Sequence, residues 1–320
     1  MLRLLSYAAR CAAGGLLLSW AAGACWAQAQ PMSHRTVFVS LAKASEPFMT
    51  KLRIEAEDEA KKLGLQLVFE DGKGDSAVQS AGLEAAALNG KIHGVVIAPN
   101  DVHALATAVN FALARGLPVI TVDRKVEGTR KPVPHVGVDN VLGGRLLAQW
   151  VVSRFPKGAT VLHLTGQPGS SSAIDRAKGV RDALAAAGPT YRLVGDVSAN
   201  WSRTEAVAVT ERQLNFLKQP PDVILAANDD MALGALEAID NMGLRQRGIQ
   251  VLGYDALPQA LQKVREGKLA ATADQHADRL SRIALAQMDN LLRTAQPLAT
   301  VILTPVLVTP ETLAATQTGK

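Results

Sequence analysis

The chain has 320 residues, 48% of them hydrophobic, enough to bury substantial cores in about two domains. Its formal charge of +5 includes Arg3 and Arg10, which belong to a leader expected to be removed, and the remaining balance is too mild for a nucleic-acid partner. Both cysteines, Cys11 and Cys25, fall in that leader, so the mature chain is expected to have no disulfide, thiol nucleophile or thiolate metal site.

Residues 1–29 read as a secretory signal peptide. Arg3 and Arg10 supply the positive start, Cys11 to Gly23 the short apolar run, and Ala27-Gln28-Ala29 a small-x-small cleavage site before Gln30. A membrane anchor is the rival, but the run is short for a span of about 20 residues. A second rival is lipid attachment at Cys25, since Ala22-Gly23-Ala24-Cys25 resembles a lipid box with Ala where a larger aliphatic residue is usual.

From Thr36 the chain alternates. A strand at Thr36 to Leu41 is followed by a polar turn, then a helix from Phe48 to Leu63 that Pro47 can open, because its missing N–H would be unpaired there. Gly64 ends that helix. Strand Leu65 to Phe69, the loop Asp71 to Asp75 and a helix from Ser76 to Leu88 follow, and later a strand at Pro118 to Val122. After a break rich in Gly and Pro at Lys125 to Pro134, strand Val136 to Asn140 restarts the pattern with a helix from Val141 to Phe155. Strand Ala159 to Leu164 then leads into the Gly/Ser-rich loop Gly166 to Ser172, and helix Asp175 to Ala187, strand Tyr191 to Val197 and helix Ser202 to Lys218 come next. The tail adds strand Ala270 to Asp274, helix Asp278 to Thr294 and a short strand at Val301 to Val308. This order predicts an α/β fold with two Rossmann-like parallel sheets covered on both faces and joined by right-handed crossovers.

One unit occurs twice. Asp222 to Asp255 reads as strand, Asn228-Asp229-Asp230, helix, strand and a final acid; Gly94 to Asp123 repeats the plan 128 positions earlier, with Asn100-Asp101 against Asn228-Asp229. After a four-residue insertion at Arg245 to Gly248, Asp123 falls opposite Asp255. Loops beyond the carboxyl ends of parallel strands gather on one edge, where ligands bind. Two such edges facing each other predict a cleft lined by Asn and Asp.

Six segments in order carry a resemblance: Pro47-Phe48, Val122-Asp123-Arg124, Val138-Asp139-Asn140-Val141-Leu142-Gly143-Gly144, Ala227-Asn228-Asp229-Asp230-Met231-Ala232-Leu233-Gly234-Ala235, Gly253-Tyr254-Asp255 and Gly267-Lys268-Leu269-Ala270-Ala271-Thr272. From about Thr36 to Thr309 the chain resembles the periplasmic sugar-binding proteins of the ribose/galactose type, the substrate-binding subunits of ATP-driven (ABC) importers. The resemblance implies two lobes with three hinge crossovers, here 36–137 plus 276–303 and 138–275 plus 304–312. It also implies a periplasmic monomer that closes on a monosaccharide, delivers it to an inner-membrane permease and uses no cofactor. Lactose-type repressors share this fold but carry a DNA-binding helix-turn-helix where this chain has its leader.

A sugar offers hydroxyls around apolar faces, so its site needs carboxylates and amides at the rim and aromatics against the ring. The resemblance assigns such roles to nine residues. Asp123 and Arg124 match the Asp-Arg pair after a strand, Arg176 the arginine of the second lobe, Asn228 an amide ligand, Asp255 the carboxylate after a Gly-Tyr turn, and Gln275 the amide at a hinge. Phe48 and Trp201 match the stacking aromatics, although Phe48 also fits a plain core position. The other role for Asn228 is a helix cap, which Asp229 can supply instead. Glu46 is a departure, standing where ribose-type members have Asn and galactose-type members Asp. With Met49 in place of a second ring, and Ala42 and Ala98 in place of Ser and Asn, it implies a site roomier than a ribose site and able to take a hexose, while a pentose-like sugar, a polyol or a modified sugar fits the same constellation.

A sensor subunit serving a chemoreceptor or histidine kinase would share the same site. An α/β enzyme is the other class, but the chain lacks a Gly-x-Gly-x-x-Gly turn, a Gly-x-Ser-x-Gly elbow and a P-loop. Its six histidines are dispersed without metal-ligand spacing and read as surface and loop positions.

Overall fold

The computed structural model describes residues 35–318; the expected signal peptide, the expected cleavage site and Cys25 lie outside them. The first lobe contains β1 (Arg35–Leu41), α1 (Pro47–Leu63), β2 (Leu65–Asp71), α2 (Ser76–Leu88), β3 (Gly94–Ala98), α3 (Ala106–Ala114), β4 (Val119–Val122) and β5 (His135–Val138). The second contains α4 (Asn140–Arg154), β6 (Ala159–Thr165), α5 (Ser171–Ala187), β7 (Tyr191–Ser198), α6 (Arg203–Phe216), β8 (Val223–Ala226), α7 (Asp229–Asn241), β9 (Gln250–Tyr254), α8 (Pro258–Arg265) and β10 (Ala271–Asp274). The chain then continues through α9 (Ala277–Thr294), β11 (Val301–Leu303), β12 (Val306–Val308) and α10 (Pro310–Thr318).

Two six-stranded sheets result, ordered β11-β5-β4-β3-β1-β2 and β12-β10-β9-β8-β6-β7. The two orders match strand for strand, as the repeated unit requires: β3 and β4 correspond to β8 and β9. The insertion is a single 3-10 turn, Arg245–Arg247, ended by Gly248 in the left-handed conformation. The chain passes between the sheets after β5, after β10 and between β11 and β12, with α9 packed on α1.

Side chains alternate along the strands, so each sheet buries both faces. On β3, Val96 and Ala98 join the cluster beneath α1 and α9, while Val95 and Ile97 join the one beneath α2 and α3. On β8, Ile224 and Ala226 face the cluster with α6 and α7, and Val223 and Leu225 the one with α4 and α5. Helices α4 and α5 pack very closely because Gly144 and Gly179 present no side chain: a Cβ at either would lie 2.1 Å or 2.0 Å from a carbonyl oxygen of the facing helix, that of Arg176 or of Val141.

The structure corrects several expectations. The last strand is two, because Pro305 has no N–H to continue a ladder; β11 joins the first sheet in parallel and β12 joins β10 antiparallel, so the second sheet is mixed. Helix α5 begins four residues early, at Ser171, inside the Gly/Ser-rich loop. In the first copy of the repeat a turn occupies the residues after Asp101, and α3 starts only at Ala106. Helices α8 and α10 were not expected at all. Two histidines are neither surface nor loop: His135 in β5 and His163 in β6 are buried, partnered at 3.0 Å by Thr121 Oγ1 and Asp196 Oδ1. Burial, helped by Lys125, lowers His135 to about 4, so it packs as a neutral ring.

Candidate functional site

The carboxyl ends of the two sheets carry the predicted residues, and all nine are buried, none more than 7% exposed. On the first lobe, the N-cap position of α1 supplies Glu46 and its first turn Phe48, and the residues just past β4 supply Asp123 and Arg124. Arg124 Nη2 donates to Glu46 Oε2 at 2.7 Å, and its Nε lies 3.6 Å from Asp123 Oδ2. Asp123 has φ +62°, a left-handed conformation that Asp tolerates better than most residues. Asp123 Oδ1 and Arg124 Nε and Nη1 are buried without a hydrogen-bond partner. Such groups are costly inside a protein unless something pairs with them.

On the second lobe Arg176, in α5, is held from three directions. Its Nε donates to Asn140 Oδ1 (2.8 Å), Nη1 to the Ala227 carbonyl (2.7 Å) and Nη2 to Gln275 Oε1 (3.0 Å). Below it lies Tyr254, with the guanidinium carbon 3.7 Å from the ring centroid. Gln275, at the hinge after β10, turns its amide to Asp255 Oδ1 at 2.5 Å, and Asp255 Oδ1 is 3.7 Å from Arg176 Nη1. The repeat is kept to the atom: Asp123 N donates to the Val136 carbonyl and Asp255 N to the Ala273 carbonyl, each on the next strand of its sheet.

The two edges meet. The guanidinium carbons of Arg124 and Arg176, one from each lobe, lie 5.6 Å and 5.5 Å from the Trp201 ring centroid, within cation–π range. Polar contacts also bridge the lobes beside this cluster. Val102 N donates to the Gly169 carbonyl (2.8 Å), Gln167 Nε2 to Asn100 Oδ1 (3.1 Å) and Lys125 Nζ to Asp175 Oδ2 (2.7 Å). Burial raises the pKa of Asp123, against the pull of Arg124 and Arg176. Asp255 is raised well above its ordinary value, again first by burial and with the neighbouring acids Asp229 and Asp123 adding to it. Glu46 is raised too, burial outweighing Arg124.

Several roles differ in detail from the expectation. Phe48 and Met49 pack in the hydrophobic cluster under α1, as does Ala98, and Trp201 belongs to the cluster with α6 and α7 while keeping its indole N–H unpartnered. Asn228 does cap α7: its Oδ1 accepts from Met231 N at 2.9 Å, leaving Nδ2, 3.5 Å from the Trp201 carbonyl, as its donor. Asp229 is no cap; its carboxylate turns to Thr272 and Leu257. Glu46 has one of its two carboxylate oxygens engaged by Arg124. Sequence reasoning missed Asn140 and Tyr254, which hold Arg176; both lie in segments quoted for the resemblance.

With this geometry in view, comparison with known proteins is decisive. Residues 37–296 match the model of the periplasmic binding protein domain. The chain belongs to the periplasmic binding protein family. The ribose import binding protein RbsB of Bacillus subtilis is 35% identical over 259 residues, 80% of this chain and 81% of that one. Its Escherichia coli counterpart is 33% identical over 268 residues, 83% and 87% of the two chains. Among solved structures, the Caulobacter myo-inositol binding protein bound to myo-inositol is 44% identical, with a TM-score of 0.87 over 89% of this chain and 96% of that one. A periplasmic solute binding protein from Actinobacillus succinogenes with bound D-allose is 28% identical, with a TM-score of 0.80 over 88% and 99%.

Proposed function

We propose that this periplasmic binding protein captures one polyhydroxylated six-membered ring, a hexose or a cyclitol, between its lobes and hands it to the membrane permease of an ABC importer. The reading includes export through the leader at residues 1–29 and no catalysis. One observation carries it: the unpartnered Asp123 Oδ1 and Arg124 donors of the first lobe converge with Asp255, Gln275 and Trp201 of the second. Acceptors, donors and an aromatic face are what a ring of hydroxyls needs, and the bonds to ionised groups are the strong ones. Glu46 adds an acceptor where ribose-type sites are expected to have an amide, which favours a ring with more hydroxyls than ribose. The myo-inositol and D-allose held by the relatives are six-carbon ligands of this kind.

A ring hydroxyl donates more strongly to an ionised carboxylate than to a neutral carboxyl. Because burial raises Asp123, Asp255 and Glu46 above their ordinary values, affinity is expected to rise with pH as these groups ionise, with protons released on capture where they start neutral. Calorimetric titration with myo-inositol and D-allose is expected to show one saturable site whose affinity tightens as pH rises, with proton release on binding at the acid end. Saturable binding that tightens as pH falls would contradict the carboxylate reading; no binding of any sugar would contradict the function.

A further inference from the structure

Asp255 sits in a turn that is strained twice over. Its φ is +117° and that of Ala256 is +53°, consecutive positive values on residues that carry side chains. A second carboxylate, wholly buried, fixes this turn. Asp229 Oδ2 accepts from Leu257 N at 2.7 Å, while its Oδ1 accepts from Thr272 Oγ1 at 2.6 Å. The same Thr272 hydroxyl accepts from Ala256 N at 3.2 Å. Residues 256 and 257 therefore hang from one bracket that joins the start of α7 to β10. Gly253 makes room for it, since a Cβ there would lie 2.2 Å from Asp229 Oδ1.

Two observations argue that the bracket is more than general packing. The cap of α7 is already supplied by Asn228, so Asp229 is not needed for that, and burying a carboxylate is costly where no specific bond requires it. In the other copy of the repeat, Asp101 caps its own turn, accepting from His103 N and Ala104 N at 2.8 Å each. The bracket is thus peculiar to the second lobe. We propose that Asp229 and Thr272 are positioning residues for ligand capture: they hold the 255–257 turn so that the Asp255 carboxylate meets the ring. The assignment rests on the reading of Asp255 as a ligand carboxylate.

The test is Thr272→Val, which removes the hydroxyl and keeps the shape, with Thr272→Ser as the rescue and Asp229→Asn as the second variant. Calorimetric affinities for myo-inositol and D-allose are measured for each, alone and combined with Asp255→Asn. Thr272→Val is expected to weaken binding about tenfold, Thr272→Ser to restore it, and Thr272→Val to add less than about twofold once Asp255 is already changed. Wild-type affinity in Thr272→Val, or equal losses with and without Asp255→Asn, overturns the proposal, since a merely structural role acts independently of Asp255. If Asp255→Asn alone binds like the wild type, the reading of Asp255 fails and this inference with it, a result distinct from the other two.

Discussion

Replacing Asp255 by alanine is expected to weaken capture of the ring at least about a hundredfold while the chain stays folded. The variant removes the acceptor that Gln275 and Arg176 hold at the cleft, and truncating one partner of a buried hydrogen-bonded pair at a binding site costs about 2–5 kcal/mol of affinity. Arg176 still keeps Asn140, Ala227 and Gln275, so the surrounding frame survives. Stability follows a separate rule. The folded-state pKa of Asp255 is raised, so its contribution is fully present below the unfolded value and is lost as pH rises through the folded one. The alanine variant is therefore expected to gain in stability relative to the wild type as pH increases. Calorimetry paired with denaturant unfolding at two pH values reads both, and unchanged affinity would remove Asp255 from the site.

A valine at Gly144 is expected to cost about 3 kcal/mol and to loosen ligand binding as well. The added Cβ would lie 2.1 Å from the Arg176 carbonyl, which is backbone and cannot swing aside as a side-chain tip can. To admit it, α5 must move from α4, separating Arg176 from Asn140, whose bond spans the two helices at 2.8 Å. Gly90→Ala is the control, because nothing lies within 4 Å of a Cβ there. Denaturant unfolding that finds Gly144→Val as stable as Gly90→Ala would show that the two helices do not need their glycine contact.

The parts of this fold that were legible in the sequence are those written in local pattern. Apolar runs such as Val223 to Ala226, bounded by polar loops and followed by Ala/Leu-rich helices, name strand and helix directly. The repeat placed Asp123 and Asp255 at matching strand ends, and both sheets keep those places. What escaped depends on partners distant along the chain. His135 and His163 read as polar, yet Thr121 and Asp196 on neighbouring strands let them be buried. The antiparallel direction of β12 follows from its pairing with β10 at the edge of the second sheet, which a strand-like run cannot reveal. Within the site, Glu46 could be placed but not its bond to Arg124, 78 residues away, which takes one of its two oxygens. Asp229 passed as a spare cap because its partners, Leu257 and Thr272, lie beyond the helix it begins.

Capture of a six-membered polyhydroxylated ring is tested most directly by thermal unfolding of the chain from Gln30 onward against myo-inositol, D-allose, D-galactose and D-ribose. A ligand that binds only the folded state stabilises it by about 2.7 kcal/mol at a hundredfold excess over its dissociation constant. The predicted result is a large rise in the midpoint with one of the six-carbon rings and a smaller one with D-ribose. A cooperative transition that none of the four moves would contradict it.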